Sequence, residues 1–126
     1  MQVKNGELNV YVNFLNEMKL PNKASLGRTK LKQAFVKKLE EFGKDQVEII
    51  NEFDAWKDKE EGTYKNDIPE LNSAMATLQN DDVEIEFKSP FKKDLIIALE
   101  NYNEELSGVN AEVYANLYEN LTKENE

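Results

Sequence analysis

The chain has 126 residues, a length that fits one domain able to bury its own core. Hydrophobic residues make up 40% and charged residues 33%, with 25 acids against 16 basic residues and a formal net charge of −9. It contains no cysteine and no histidine. That excludes disulfides, thiolate nucleophiles and thiolate metal sites, and it removes the side chain that most often serves as a general base near neutral pH.

The first residues allow two readings. Val3, Leu8, Val10, Val12 and Phe14 alternate around Asn5-Gly6, as a hairpin would. Leu8, Val12, Leu15 and Met18 also fall at helical spacing. The reading favoured is a short strand at Val3 followed by a helix from about Glu7 to Met18, with Pro21-Asn22-Lys23 as a turn. A long amphipathic helix is then predicted from about Ala24 to Trp56. Leu31, Phe35, Leu39, Phe42, Ile49 or Ile50, Phe53 and Trp56 form its buried stripe. Gly43 inside it marks a bend or a close packing point. A helix of roughly 30 residues is about 45 Å long, more than a compact domain of this size needs. It therefore protrudes, bends or packs against a second copy.

Lys57 to Asn66 reads as a charged loop turning at Glu61-Gly62-Thr63-Tyr64. Ile68, Leu71, Met75 and Leu78 mark another helix, with Pro69 in its first turn. The alternation over Val83-Glu84-Ile85-Glu86-Phe87 predicts a strand with one wet face, and the natural partner for it is the strand at Val3. Ser89-Pro90 is a helix start, and Phe91, Leu95, Ile96, Leu99, Tyr102 and Leu106 are its stripe, ended by Gly108. A last helix, capped by Asn110, carries Val113, Leu117 and Leu121, with Tyr114 and Tyr118 alongside. The expected fold is one mainly α domain over residues 1–126, with about five helices and one small two-stranded β element.

Charge is unevenly distributed. Up to Leu39, Lys4, Lys19, Lys23, Arg28, Lys30, Lys32, Lys37 and Lys38 face only Glu7 and Glu17, whereas the remainder is strongly acidic. A basic run of this kind is a candidate for phosphate backbones, but the whole-chain field repels them at long range. The same residues also serve to complement acids within the fold or on a protein partner. Lys23, Arg28, Lys30, Lys32, Lys37 and Lys38 are thus the candidate partner surface, together with Trp56 as an anchor at the end of the long stripe. The acids Asp81, Asp82, Glu84 and Glu86 read as a solvated face, since no calcium-loop spacing is present. No phosphate loop, dinucleotide fingerprint or nucleophile elbow occurs. The expectation is a non-enzymatic cytoplasmic protein without a cofactor. It would bind a protein, with homodimerisation open and nucleic acid the alternative. No stretch is apolar enough for a membrane span, and the N-terminus lacks the apolar core of a secretion signal.

A set of positions resembles an uncharacterised family of small phage and prophage proteins of Gram-positive bacteria. It begins with Asn13-Phe14-Leu15, Leu20, Lys23-Ala24-Ser25, Arg28 and Lys30. It continues through the acidic-hydrophobic helix Asp45 to Phe53, Glu61-Gly62-Thr63-Tyr64, Glu70-Leu71-Asn72 and Val83-Glu84-Ile85, and ends with Leu106-Ser107-Gly108, Ala111 and Tyr114. The resemblance implies a phage origin and a helical Glu7 to Met18. It supplies no catalytic residues. A protein of that origin would act as an inhibitor of host defence or as a virion-assembly factor.

Overall fold

In a computed structural model, described over residues 1–124, the chain forms five α-helices and two small antiparallel sheets. The first strand, β1 (Gln2–Lys4), pairs with β4 (Asp82–Glu84), placing Val3 opposite Val83 as the alternation predicts. Asn5-Gly6 does not turn a hairpin. It begins a 3₁₀ turn over Asn5–Glu7 that feeds α1 (Leu8–Glu17). The buried Asn5 is the reason: its backbone N–H donates to the Asp81 carbonyl (3.0 Å) and its side-chain amide to the Leu78 carbonyl (3.0 Å). Both bonds go to the chain just before β4, so the sheet closes over a long sequence separation and leaves Leu8, Tyr11, Phe14 and Leu15 to be buried by a helix.

The long helix α2 (Asn22–Glu52) has 31 residues and needs no second chain to bury its stripe. Leu31, Phe35 and Phe42 join the main core, where Phe35 stacks on Tyr11 with ring centroids 5.0 Å apart. Ile50 belongs to a second, smaller core with Ala55, Leu71 and Met75, packed round by Phe53, Trp56, Tyr64 and Ile68. One helix thus threads two hydrophobic clusters, which accounts for its length. Of the two readings of Gly43, a bend or a close packing point, the second does not hold, since nothing lies within 4 Å of where its Cβ would be. Close packing occurs at Gly27 instead. A Cβ there would sit 2.8 Å from the Phe91 carbonyl oxygen and 3.1 Å from Leu95 Cβ, so this glycine is what lets α4 (Lys92–Glu100) approach α2.

The helix ends before Trp56. Asp54 takes a left-handed conformation (φ 49°), and the Ala55 N–H returns to the Ile50 carbonyl. Aspartate tolerates such a turn better than most side chains. The chain expected as a loop is a hairpin, β2 (Trp56–Asp58) with β3 (Thr63–Tyr64), and it makes a second sheet where one was predicted. Its connection is held by Asp58 Oδ1, which accepts from the Glu60 and Glu61 N–H groups, and by Gly62 at φ 75°. The next helix, α3 (Pro69–Gln79), follows with Pro69 in its first turn.

Three boundaries at the C-terminal side differ from expectation. The helix predicted from Ser89-Pro90 starts at Lys92, with Ser89 Oγ accepting the Phe91 N–H (3.1 Å). It stops at Glu100, well short of Leu106, where Asn101 returns both its backbone N–H and its side-chain amide to the Ile97 carbonyl. The Tyr114 hydroxyl donates to the Leu99 carbonyl, satisfying another group of that last turn. Gly108 is not a helix end. With φ 56° it opens α5 (Gly108–Glu124), whose Val113, Leu117 and Leu121 are buried in the main core.

Candidate interaction surface

The structure disperses the basic run. Arg28 Nη1 donates to the Leu15 carbonyl (2.8 Å), one of the carbonyls that the end of α1 leaves without a helical partner. Its Nε is buried and has no hydrogen-bond partner. Lys32 reaches the Asn16 side chain (2.7 Å), on the same side. Both cations therefore tie α2 to α1. Lys38 lies beside Glu41, its neighbour one helical turn on, at 3.5 Å. Lys23, Lys30 and Lys37 are exposed and recur every seven residues, so they form one ridge along the solvent face of α2. Trp56 stands apart from this ridge. It packs on the second core while its indole N–H donates to Asn51 Oδ1 (2.6 Å).

The acids of residues 81–86 do not converge. Glu84 Oε1 accepts from the N-terminal ammonium at 2.9 Å. No group of three or more carboxylates placed to hold a metal ion occurs among the described residues. Among the described residues, the groups whose pKa departs from the ordinary value are tyrosines. Burial raises Tyr11, against the lowering effect of the Asn116 side-chain amide that donates to its hydroxyl (3.1 Å), and Glu7 raises it further. Burial also raises Tyr102 and Tyr114, assisted by Glu104 in the first case and by Tyr118 and Glu100 in the second.

A cleft of about 590 Å³ lies where α2 begins and α4 ends. Residues 19–24 form one wall and residues 94–104 the other. Leu20, Ala24, Ile97, Ala98 and Tyr102 give it an apolar lining. Ile97 is 57% exposed, the most exposed large hydrophobic side chain among the described residues. The walls are oppositely charged: Lys19 and Lys23 without an acid on the first, Asp94 and Glu104 without a base on the second. The helix termini reinforce this polarity. The first turn of α2 has no acid and its cap residue Pro21 offers no side-chain hydrogen bond, while the last turn of α4 has no base. Of the basic run, Lys19 and Lys23 line this cleft, and of the candidate partner surface only Lys23 lines it. Its other residues escape a reading based on stripes, although Leu95-Ile96-Ile97 carried a signal: three consecutive apolar residues cannot all face the core from one helix.

A family profile described as "Protein of unknown function (DUF1617)" matches residues 1–125. The chain belongs to that family. No curated protein and no solved structure shows significant similarity to it. The matched residues include both hydrophobic clusters, the hairpin and both walls of the cleft. No helix among the described residues is long and apolar enough to cross a membrane.

Proposed function

We propose that the protein is a non-enzymatic interaction module, encoded by a phage or prophage of a Gram-positive bacterium, that binds a protein in the host cytoplasm through the face where α2 begins and α4 ends. The observation that carries this is Ile97, 57% exposed in a cleft between walls of opposite charge. An apolar side chain held out beside a polar rim is the arrangement of an interface centre. A net charge of −9 favours a partner with a basic surface, and both inhibition of a defence protein and assistance in virion assembly fit such a module. The test compares partner recovery from host and infected-cell lysates by the wild type, Ile97→Asp and Val109→Asp. Val109 is exposed to a similar degree but lies outside the cleft. Loss of a specific partner with Ile97→Asp alone supports the reading. Equal recovery by all three contradicts it.

The ridge of Lys23, Lys30 and Lys37 favours a second reading, nucleic-acid binding along one helix face. Three phosphate contacts predict a log–log salt slope of about −3. A gel shift in low salt that shows no complex removes this reading.

A further inference from the structure

The two walls of the cleft are complementary to each other in charge. A two-fold axis places each patch against its own copy, so that the residues of one wall meet those of the opposite wall. A patch with cations on one side, acids on the other and an apolar centre is complementary to itself under that operation. Here Lys19, Lys23 and the positive end of α2 stand against Asp94, Glu104 and the negative end of α4, with Ile97 between them. Among the described residues these charges make no ion pair across the cleft, so they are free to pair with a facing chain.

We infer that the occupant of this cleft is a second copy of the chain, docked about a two-fold axis so that Lys19 and Lys23 of each protomer face Asp94 and Glu104 of its partner around a central pair of Ile97 side chains. The inference rests on the reading that this face docks protein, and it names the partner. It also differs from the dimer suggested by the length of α2, because it uses one end of that helix and leaves the middle uncovered. With the cleft closed, the dimer presents the acidic remainder of the surface outward, available for a further, basic partner.

The test is sedimentation velocity of the full chain over a range of concentrations, with Lys23→Glu, Asp94→Lys, Ile97→Asp and an equimolar mixture of the first two variants. Circular dichroism and unfolding midpoints establish that each variant is folded. The wild type is expected to dimerise. Each single charge reversal sets like charges opposite one another twice in the symmetric dimer and should weaken association roughly tenfold or more. Ile97→Asp should do the same. The mixture decides between pairing across chains and pairing within one chain. In the mixed dimer Glu at position 23 of one protomer faces Lys at position 94 of the other, and the native Lys23 faces the native Asp94, so association should return to near wild-type strength. Failure of the mixture to dimerise overturns the proposed arrangement, as does a wild type that remains monomeric throughout. A monomeric wild type leaves standing the reading that the face binds a different protein. That reading falls only if Ile97→Asp also leaves partner recovery unchanged.

Discussion

The same substitution at two glycines of one helix should have effects of opposite sign. In a helix interior alanine is favoured over glycine by about 1 kcal/mol, because glycine loses more conformational freedom on folding. At Gly43 nothing lies within 4 Å of the added methyl, so Gly43→Ala should stabilise the protein by about 0.5–1 kcal/mol. At Gly27 the methyl would meet the Phe91 carbonyl oxygen at 2.8 Å and Leu95 Cβ at 3.1 Å. The first of these atoms is backbone and cannot swing aside, so α4 must move away from α2. Overpacking of this kind costs about 1–3 kcal/mol, enough to reverse the propensity gain. Urea unfolding of the wild type and both variants, followed by circular dichroism, measures the difference between the two sites directly. The expected result is a lower midpoint for Gly27→Ala and a higher one for Gly43→Ala. Equal stabilisation by both would refute the claim that Gly27 sets the approach of the two helices.

Arg28→Ala should destabilise by about 1–3 kcal/mol in the same assay, because it leaves the Leu15 carbonyl without its donor where the chain turns from α1 into α2. Stability should fall as pH rises above about 10. Burial holds the pKa of Tyr11 and Tyr114 in the folded protein above the ordinary tyrosine value, so the stability each contributes is complete below that value and is lost as pH climbs through the folded one. Replacing both by phenylalanine should flatten the alkaline limb of the stability–pH profile, and an unchanged limb would contradict the assignment. Ile97→Asp removes no buried contact but places a carboxylate in the last turn of α4 beside Asp94, so it should destabilise by about 1 kcal/mol, too little to unfold the chain before its effect on association is read.

The parts legible in the sequence are those decided by periodicity. The pairing of Val3 with Val83 follows from two short alternating runs. The burial of Leu31, Phe35, Leu71, Leu95, Val113 and Leu117 follows from steps of three and four along their helices. What stayed hidden was decided by tertiary contacts or by single backbone conformations. Asp54 at φ 49° ends α2 and turns the next residues into a hairpin, and no local composition announces a left-handed aspartate. Tyr102 and Leu106 continue a helical stripe in sequence, yet α4 stops at Glu100 because Asn101 and Tyr114 take its last carbonyls. Gly108 follows the preference of glycine for helix ends, yet here its positive φ belongs to the start of α5. The basic run looked like one surface because sequence proximity ignores the direction of each side chain. Arg28 and Lys32 point to α1, whereas Lys23, Lys30 and Lys37 point to solvent. The cleft is assembled from residues 19–24 and 94–104, so its opposed charges become a pattern only after folding.

The most direct test of the account places a photoreactive amino acid at position 97 and, as a control, at position 109, each in the full chain expressed in bacterial cells. Irradiation should give a discrete protein adduct from position 97 that Lys23→Glu abolishes, and none of that mass from position 109. Identical adducts from both positions, or no protein adduct from position 97, would contradict the claim that this protein works through the face between the start of α2 and the end of α4.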